Sequence, residues 1–252
     1  MMLEIKGLHK DFGGIKAVNE CHFTVEKGKI VALIGPNGAG KTTLFNLISG
    51  FMVPDKGTIK LMGEDITSLL PYQRAVKGIA RTFQLIRLFP KMTVMENMLL
   101  AMKDSHEELH HALWRTRKIK EEEIKNVEKA MDVLKLVHLE GKVDELAENL
   151  SYGQQKLLEI ARALASDPKI VMLDEPAAGV NPTMIKKIGE LLVKLKKEKG
   201  MTILFIEHDM EFVMNIADKV VVLDYGKEIA IGTPQQVKKN KQVIDAYLGV
   251  TT

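Results

Sequence analysis

A chain of 252 residues is long enough to bury a sizeable core, and with 46% apolar and 27% charged residues it is not disordered by composition. The net charge of +3 is small and carried mainly by scattered lysines, which speaks against a dedicated nucleic-acid face, and the single cysteine, Cys21, excludes an intrachain disulfide and fits a reducing compartment. The first residues, Met1 to Lys6, lack the apolar region of a secretory signal, and no apolar run approaches the ~18 residues that span a bilayer. The expected location is therefore cytoplasmic, with any work at a membrane done through another chain's span.

In chain order, Leu3 to Ile5 and Cys21 to Val25 read as short strands around a turn at Phe12-Gly13-Gly14. Phe12 has two readings, a core aromatic or a ring on which a base stacks, and spacing alone favours the core. The apolar run Ile30 to Ile34 then leads into Gly35-Pro36-Asn37-Gly38-Ala39-Gly40-Lys41-Thr42-Thr43, followed by the helical stretch Leu44 to Ile48. This is the pattern G-x-x-x-x-G-K-[ST] in its strand–loop–helix context. Glycines let the backbone wrap an anion, inward N–H groups bind it, and the helix N-terminus adds partial positive charge. Lys41 is expected on the β- and γ-phosphates and the Thr42 hydroxyl in a Mg²⁺ shell. The alternative, a glycine-rich turn that binds nothing, does not explain the lysine and threonine at these offsets.

Beyond the loop, Thr58 to Leu61 reads as a strand and Pro71 opens a helix through Val76, proline being harmless at a first helical position. Ile79 to Phe83 is a further strand, and Gln84 stands at its exit, where open α/β sheets hold ligands. From about Leu88 to Ala165 there is almost no strand-like text. Thr93 to Glu96 is a capping box launching a helix through Met102; Glu107 to Lys118 and Glu121 to Leu136 continue as charged amphipathic helices. His106, His110 and His111 lack the further ligands a metal needs and read as a solvated face; Trp114, with Leu109 and Leu113, reads as a packing stripe. Ser151-Tyr152-Gly153-Gln154 is a second capping box, opening a helix through Ala165.

The apolar run Lys169 to Leu173 suits a buried parallel strand and ends in Asp174-Glu175. Pro182 opens a helix that closes on a lysine-rich turn before Gly200, as the helix dipole prefers. Thr202 to Ile206 is another buried strand, tipped by Glu207-His208-Asp209. Lys219 to Leu223 and Glu228 to Ile231 form a hairpin across Tyr225-Gly226, and Thr233-Pro234 caps a last helical region ending near Leu248. Three buried strands thus end in polar groups, and in a doubly wound sheet those ends converge on one edge. Asp174 sits where a carboxylate helps hold Mg²⁺, Glu175 where a base orients the attacking water, and His208 where it contacts the γ-phosphate or that water.

With these motifs in order, the chain resembles from end to end the nucleotide-binding subunits of ABC transporters. The resemblance implies a P-loop NTPase α/β core at residues 1–87 and 166–252, with a mixed, mostly parallel sheet and an N-terminal antiparallel β subdomain. It implies a helical signature subdomain inserted at 88–165. It makes Gln84 the Q-loop residue, joining Thr42 and Asp174 around Mg²⁺, and assigns catalysis to Glu175, His208, Lys41 and Gln84. Asn37, Gly38, Ala39, Gly40, Lys41, Thr42 and Thr43 would bind ATP. Phe12 takes the position that stacks on adenine, with Val18 beside it, against the preference from spacing. Ser151, Tyr152, Gly153 and Gln154 become a signature that serves a neighbouring subunit's ATP. The chain departs from the family's Leu-Ser-Gly-Gly-Gln at Tyr152, which stands at the first glycine, and neutral Asn181 replaces the usual D-loop aspartate.

Leu-Ser-Tyr-Gly-Gln-Gln, Asp-Glu-Pro-Ala-Ala-Gly-Val-Asn-Pro, Ile-Glu-His-Asp-Met, Arg81-Thr82-Phe83-Gln84 with Arg87-Leu88-Phe89, and the tail from Gly232 to Gly249 together look like branched-chain amino-acid importer ATPases. That implies a second ATP-binding subunit, identical or a sister chain, integral membrane permease subunits, and a substrate-binding protein met only indirectly. It places the chain on the cytoplasmic face of the membrane, with no nucleic-acid partner. Rival readings are the same architecture serving urea, amides or polysaccharide export, a soluble DNA- or ribosome-associated ABC ATPase, and a nucleotide kinase. The soluble machines usually carry long coiled coils or tandem cassettes, and a kinase needs neither the signature nor His208.

Overall fold

The computed structural model describes residues 1–102 and 116–248. They divide into two compact units, residues 1–84 with 169–252 and residues 85–168. His106, His110, His111 and Trp114 lie outside the described residues.

In the first unit, β1 (Leu3–Phe12), β2 (Ile15–Val25), β4 (Lys56–Leu61) and β5 (Glu64–Asp65) form an antiparallel sheet in the order β2-β1-β4-β5. Both N-terminal strands are far longer than the two short runs expected from the sequence. Register shifts between Ile5 and Asp11 break the apolar alternation along the β1–β2 pair, so only the regular stretches Leu3 to Ile5 and Cys21 to Val25 read as strand. The turn itself is confined to Gly13-Gly14, and Phe12 is the last residue of β1.

A second sheet runs β10-β9-β3-β8-β7-β6, comprising β3 (Ile30–Ile34), β6 (Ile79–Arg81), β7 (Ile170–Asp174), β8 (Thr202–Ile206), β9 (Lys219–Asp224) and β10 (Lys227–Gly232). The pairs β6–β7, β7–β8, β8–β3 and β3–β9 are parallel, and only β10 runs antiparallel, at the edge. Every residue of β3, β7 and β8 is buried, which is why these strands read as unbroken apolar runs. β6 stops at Arg81, short of Phe83, although the Thr82 N–H still donates to Met172 O at 2.9 Å.

Helix α1 (Lys41–Ser49) follows β3 and buries Leu44, Phe45, Leu47 and Ile48 in the core shared with Leu33, Met172, Ile206 and Leu223. Its end is fastened from α2 (Pro71–Val76). The buried Arg74 guanidinium donates to Leu47 O and Ile48 O at 2.6 and 2.7 Å, and to Leu69 O and Thr67 O at 2.9 and 2.8 Å. Carbonyls that a helix leaves unpaired at its C-terminus are thereby satisfied. Helix α6 (Pro182–Lys199) ends in Gly200 at φ 62°, as its lysine-rich last turn anticipates. The last helical region is two helices, α8 (Pro234–Lys238) and α9 (Lys241–Leu248), with α7 (Met210–Ile216) preceding β9.

The second unit contains α3 (Val94–Met102), α4 (Thr116–Leu136) and α5 (Tyr152–Ala165), each packed on the other two. Both capping boxes form. Thr93 N–H donates to Glu96 Oε2 at 2.7 Å and Glu96 N–H returns to Thr93 Oγ1 at 3.1 Å. Ser151 N–H donates to Gln154 Oε1 at 3.0 Å and Gln154 N–H to Ser151 Oγ at 3.4 Å. Asn97 is fully buried and orders the segment before α3, its amide donating to Phe89 O, Met92 O and Thr93 O.

Candidate nucleotide-binding site

Parallel pairing brings the carboxyl ends of β3, β7 and β8 side by side, with the loop Gly35–Gly40 leaving β3, Glu175 leaving β7 and His208 leaving β8. A cavity of about 870 Å³ opens there. Its floor is the loop from Asn37 to Thr43; Gln84, Glu175 and His208 stand on one side, and Ile15, Lys16, Ala17, Tyr225 and Lys227 on another.

The loop's shape depends on close backbone contacts. Gly40 has φ 97°, and a Cβ there would lie 2.1 Å from Ala17 O; a Cβ on Gly35 would lie 2.1 Å from Leu223 O. Only glycine fits at either position. The turn at Gly226 braces the loop, with its N–H donating to Ala39 O at 3.0 Å and its carbonyl accepting from Asn19 N–H at 2.8 Å. Lys41 begins α1, and its ammonium donates to Gly35 O at 2.7 Å and Pro36 O at 2.9 Å. Burial lowers the Lys41 pKa, and the negative charge of Glu175 opposes that shift.

Glu175 is held from both sides. His208 Nε2 lies 2.8 Å from Glu175 Oε1, and Gln84 Nε2 donates to Glu175 Oε2 at 3.2 Å. The backbone of Glu175 is left-handed, with φ 51°, and its N–H donates to Ile206 O at 3.0 Å. A carboxylate, an imidazole and a carboxamide thus converge beside the anion cradle, as their positions in the sequence suggest.

Other expected residues sit differently. Val18 is only 1% exposed and belongs to the core, so the wall near the loop is formed by its neighbours Ile15 to Ala17 instead. Phe12, which spacing favours as core, is 45% exposed, with Lys10 Nζ 5.6 Å from its ring centroid. It lies outside the cavity lining described above. Asn181 caps α6, its Oδ1 accepting from Met184 N–H at 2.9 Å, so the neutral side chain at this position serves a helix start. Ser151 to Gln154 open α5 in the second unit; Tyr152 is exposed, with Lys156 Nζ 5.9 Å from its ring.

Asp174 ends β7 and is buried against Arg81. The guanidinium lies 3.0 Å from the carboxylate, and the two side chains are 6% and 5% exposed. Arg81 also donates to Asn46 Oδ1 and Ser49 Oγ on α1, both at 2.7 Å, and its guanidinium sits 5.2 to 5.8 Å from the rings of Phe45, Phe51 and Phe83. In the sequence Arg81 stands out only as part of a motif. Its hydrogen-bonding partners are 32 to 93 residues away, and no local pattern joins them. Glu207, beside His208, carries no such signal either, though it is almost completely buried. Tyr225, in the hairpin turn, and Lys227 beside it also line the cavity.

A glycine-rich anion cradle at a strand–helix junction, with carboxylate, amide and imidazole on the adjoining strand ends, defines a P-loop nucleotide hydrolase. The comparisons specify it further. A family model described as ABC transporter matches residues 18–178, and one described as branched-chain amino acid ATP-binding cassette transporter matches residues 227–251. The chain is 45% identical to the high-affinity branched-chain amino acid transport ATP-binding protein BraF of Pseudomonas aeruginosa, over 98% of each chain. The structure of the ADP conformation of MJ1267, an ATP-binding cassette of an ABC transporter, superposes with a TM-score of 0.86 at 36% identity, over 98% of each chain. A dimeric structure of the cassette MJ0796 bound to ADP and phosphate gives 0.75 at 26%, over 92% of this chain and 99% of that one. The chain belongs to the ABC transporter family and is an ATP-binding subunit with ATPase activity. No described helix is long and apolar enough to cross a membrane.

Replacing Arg81 by leucine leaves the Asp174 carboxylate buried without its cation. Urea unfolding of Arg81→Leu should show a loss of about 3–5 kcal/mol, the usual cost of breaking a buried ion pair from one side; a loss indistinguishable from zero would show that the pair contributes nothing to the fold.

Proposed function

We propose that this subunit is the motor of an importer for branched-chain amino acids, working on the cytoplasmic face of the membrane as half of an ATP-binding pair. The observation that carries the catalytic reading is the clasp of Glu175 between Gln84 and His208 beside the cradle. In this reading the backbone N–H groups of Asn37 to Thr43 and the Lys41 ammonium hold the phosphates, and the α1 N-terminus adds its dipole. Phe12 takes the adenine ring, its exposed face favouring that role over core packing. Glu175 orients and deprotonates the attacking water while His208 and Gln84 fix the direction of its carboxylate.

Thr42, Gln84 and Asp174 offer a hydroxyl, an amide oxygen and a carboxylate, hard oxygen donors of the kind Mg²⁺ accepts. Among the described residues no group of three or more His, Cys, Asp or Glu side chains forms a cage by itself. When bound, Mg²⁺ would neutralise charge on the β- and γ-phosphates.

Ser151, Tyr152, Gly153 and Gln154 form the second anion site, at the start of α5, and serve the ATP of a partner cassette. Two nucleotides then hold two subunits together, and hydrolysis releases them. The dimeric relative supports that assembly. Gln84, with the second unit, would relay the change to permease subunits, and the exposed Phe51, Val53, Tyr72 and Val76 supply apolar surface for them to cover. Branched-chain cargo is supported by the relative's name and the match of the tail; the substrate-binding protein acts only through the permease.

Glu175→Gln should retain ATP binding, lose turnover by about 10²-fold or more, and accumulate an ATP-bound dimer in size-exclusion chromatography. Phosphate release at the wild-type rate would overturn the role of Glu175. Ser151→Arg should abolish hydrolysis while leaving the monomer's ATP affinity within about threefold, since the bulk falls at the partner's nucleotide. A large affinity loss in the isolated subunit would place Ser151 at its own site. Co-purification should recover membrane permease subunits, and that complex should take up leucine, isoleucine or valine in proteoliposomes; uptake of urea or amides instead would reassign the cargo.

A further inference from the structure

Glu207 has no place in the mechanism above, yet its surroundings are unusually specific. It is 3% exposed at the end of β8, and its carboxylate is bound by backbone amides. Oε1 accepts from Ala177 N–H at 2.6 Å, in the loop that follows Glu175 and leads to Asn181. Oε2 accepts from His208 N–H at 3.0 Å, and Asp209 N–H is a further donor. The same two segments are stitched once more through the main chain, because Glu175 N–H donates to Ile206 O at 3.0 Å; within the first of them, Ala178 N–H closes a turn onto Glu175 O at 3.2 Å. Asp209 in turn caps α7, its Oδ1 accepting from Phe212 N–H at 3.0 Å.

We infer that Glu207 is a positioning residue that binds the loop after Glu175 to the turn carrying His208, so that the two move as one body. The chemistry calls for a carboxylate. Each segment presents N–H groups, and a single side chain must accept from both at once; a carboxylate has two accepting oxygens, whereas a carboxamide has one and turns a donor toward the other segment. The contact between His208 and Glu175 depends on the separation of these segments, so anything displacing one displaces the other. The catalytic consequence rests on the roles proposed for Glu175 and His208; the mechanical link does not.

Hydrogen exchange followed by mass spectrometry tests the link in the full-length subunit. In Glu207→Gln, amides in residues 175–181 and in residues 207–210 should lose protection together while the rest of the sheet keeps its own. ATP turnover should fall about tenfold or more with ATP affinity within about twofold, the signature of misplaced catalytic groups. Loss of protection in only one segment, or unchanged turnover, overturns the inference. Should the variant not fold, the wild-type protein decides. On adding ATP and Mg²⁺, protection in the two segments should change in concert, and a change in one alone overturns the link. Wild-type turnover in Glu175→Gln would instead refute the catalytic reading and leave the exchange result standing.

Discussion

Charged groups brought to the edge of one parallel sheet must each be compensated, because a carboxylate or ammonium removed from water without a partner is too costly to keep. The rest of the molecule is arranged around meeting that condition. Lys41 is turned onto two carbonyls of its own loop. Asp174 has Arg81, Glu175 has an amide and an imidazole, and Glu207 has backbone N–H groups from two loops. These contacts differ in kind, and among them only His208 lies next in sequence to its charge, beside Glu207. Long-range sheet order therefore comes first, and only then does the chemistry assemble.

That order explains what could be read in advance. A buried parallel strand is written as an apolar run, and β3, β7 and β8 appear as such with their polar tips attached. Helix starts are equally local: the boxes at Thr93 and Ser151 and the prolines at Pro71 and Pro182 are each decided within four residues. The phosphate loop combines both signals, so its residues could be named from text alone. The long antiparallel strands could not, because bulges break the alternation that would announce them. Val18 lies on one of these strands: its neighbours line the cavity, while its own side chain is buried.

Arg81 and Glu207 show a different limit. An arginine in an apolar stretch or a glutamate before a histidine carries no local mark of its distant partners: Phe45 and Phe51 for Arg81 and the Ala177 N–H for Glu207 come from separate parts of the chain. Motif resemblance points to the residues proposed to touch the reaction and not to those that hold them. The helical unit was legible as a composition shift, and its internal order rests on a buried asparagine, Asn97, whose hydrogen bonds replace the regular ladder before α3.

The left-handed backbone at Glu175 has a consequence for engineering. A side-chain-bearing residue at φ 51° costs on the order of 1–2 kcal/mol relative to glycine. A directed-evolution campaign scored on heat resistance alone would find that relief attractive and enrich glycine there, which on the role proposed for Glu175 trades a working motor for a sturdier one. Libraries aimed at thermotolerance in this molecule should hold that codon fixed.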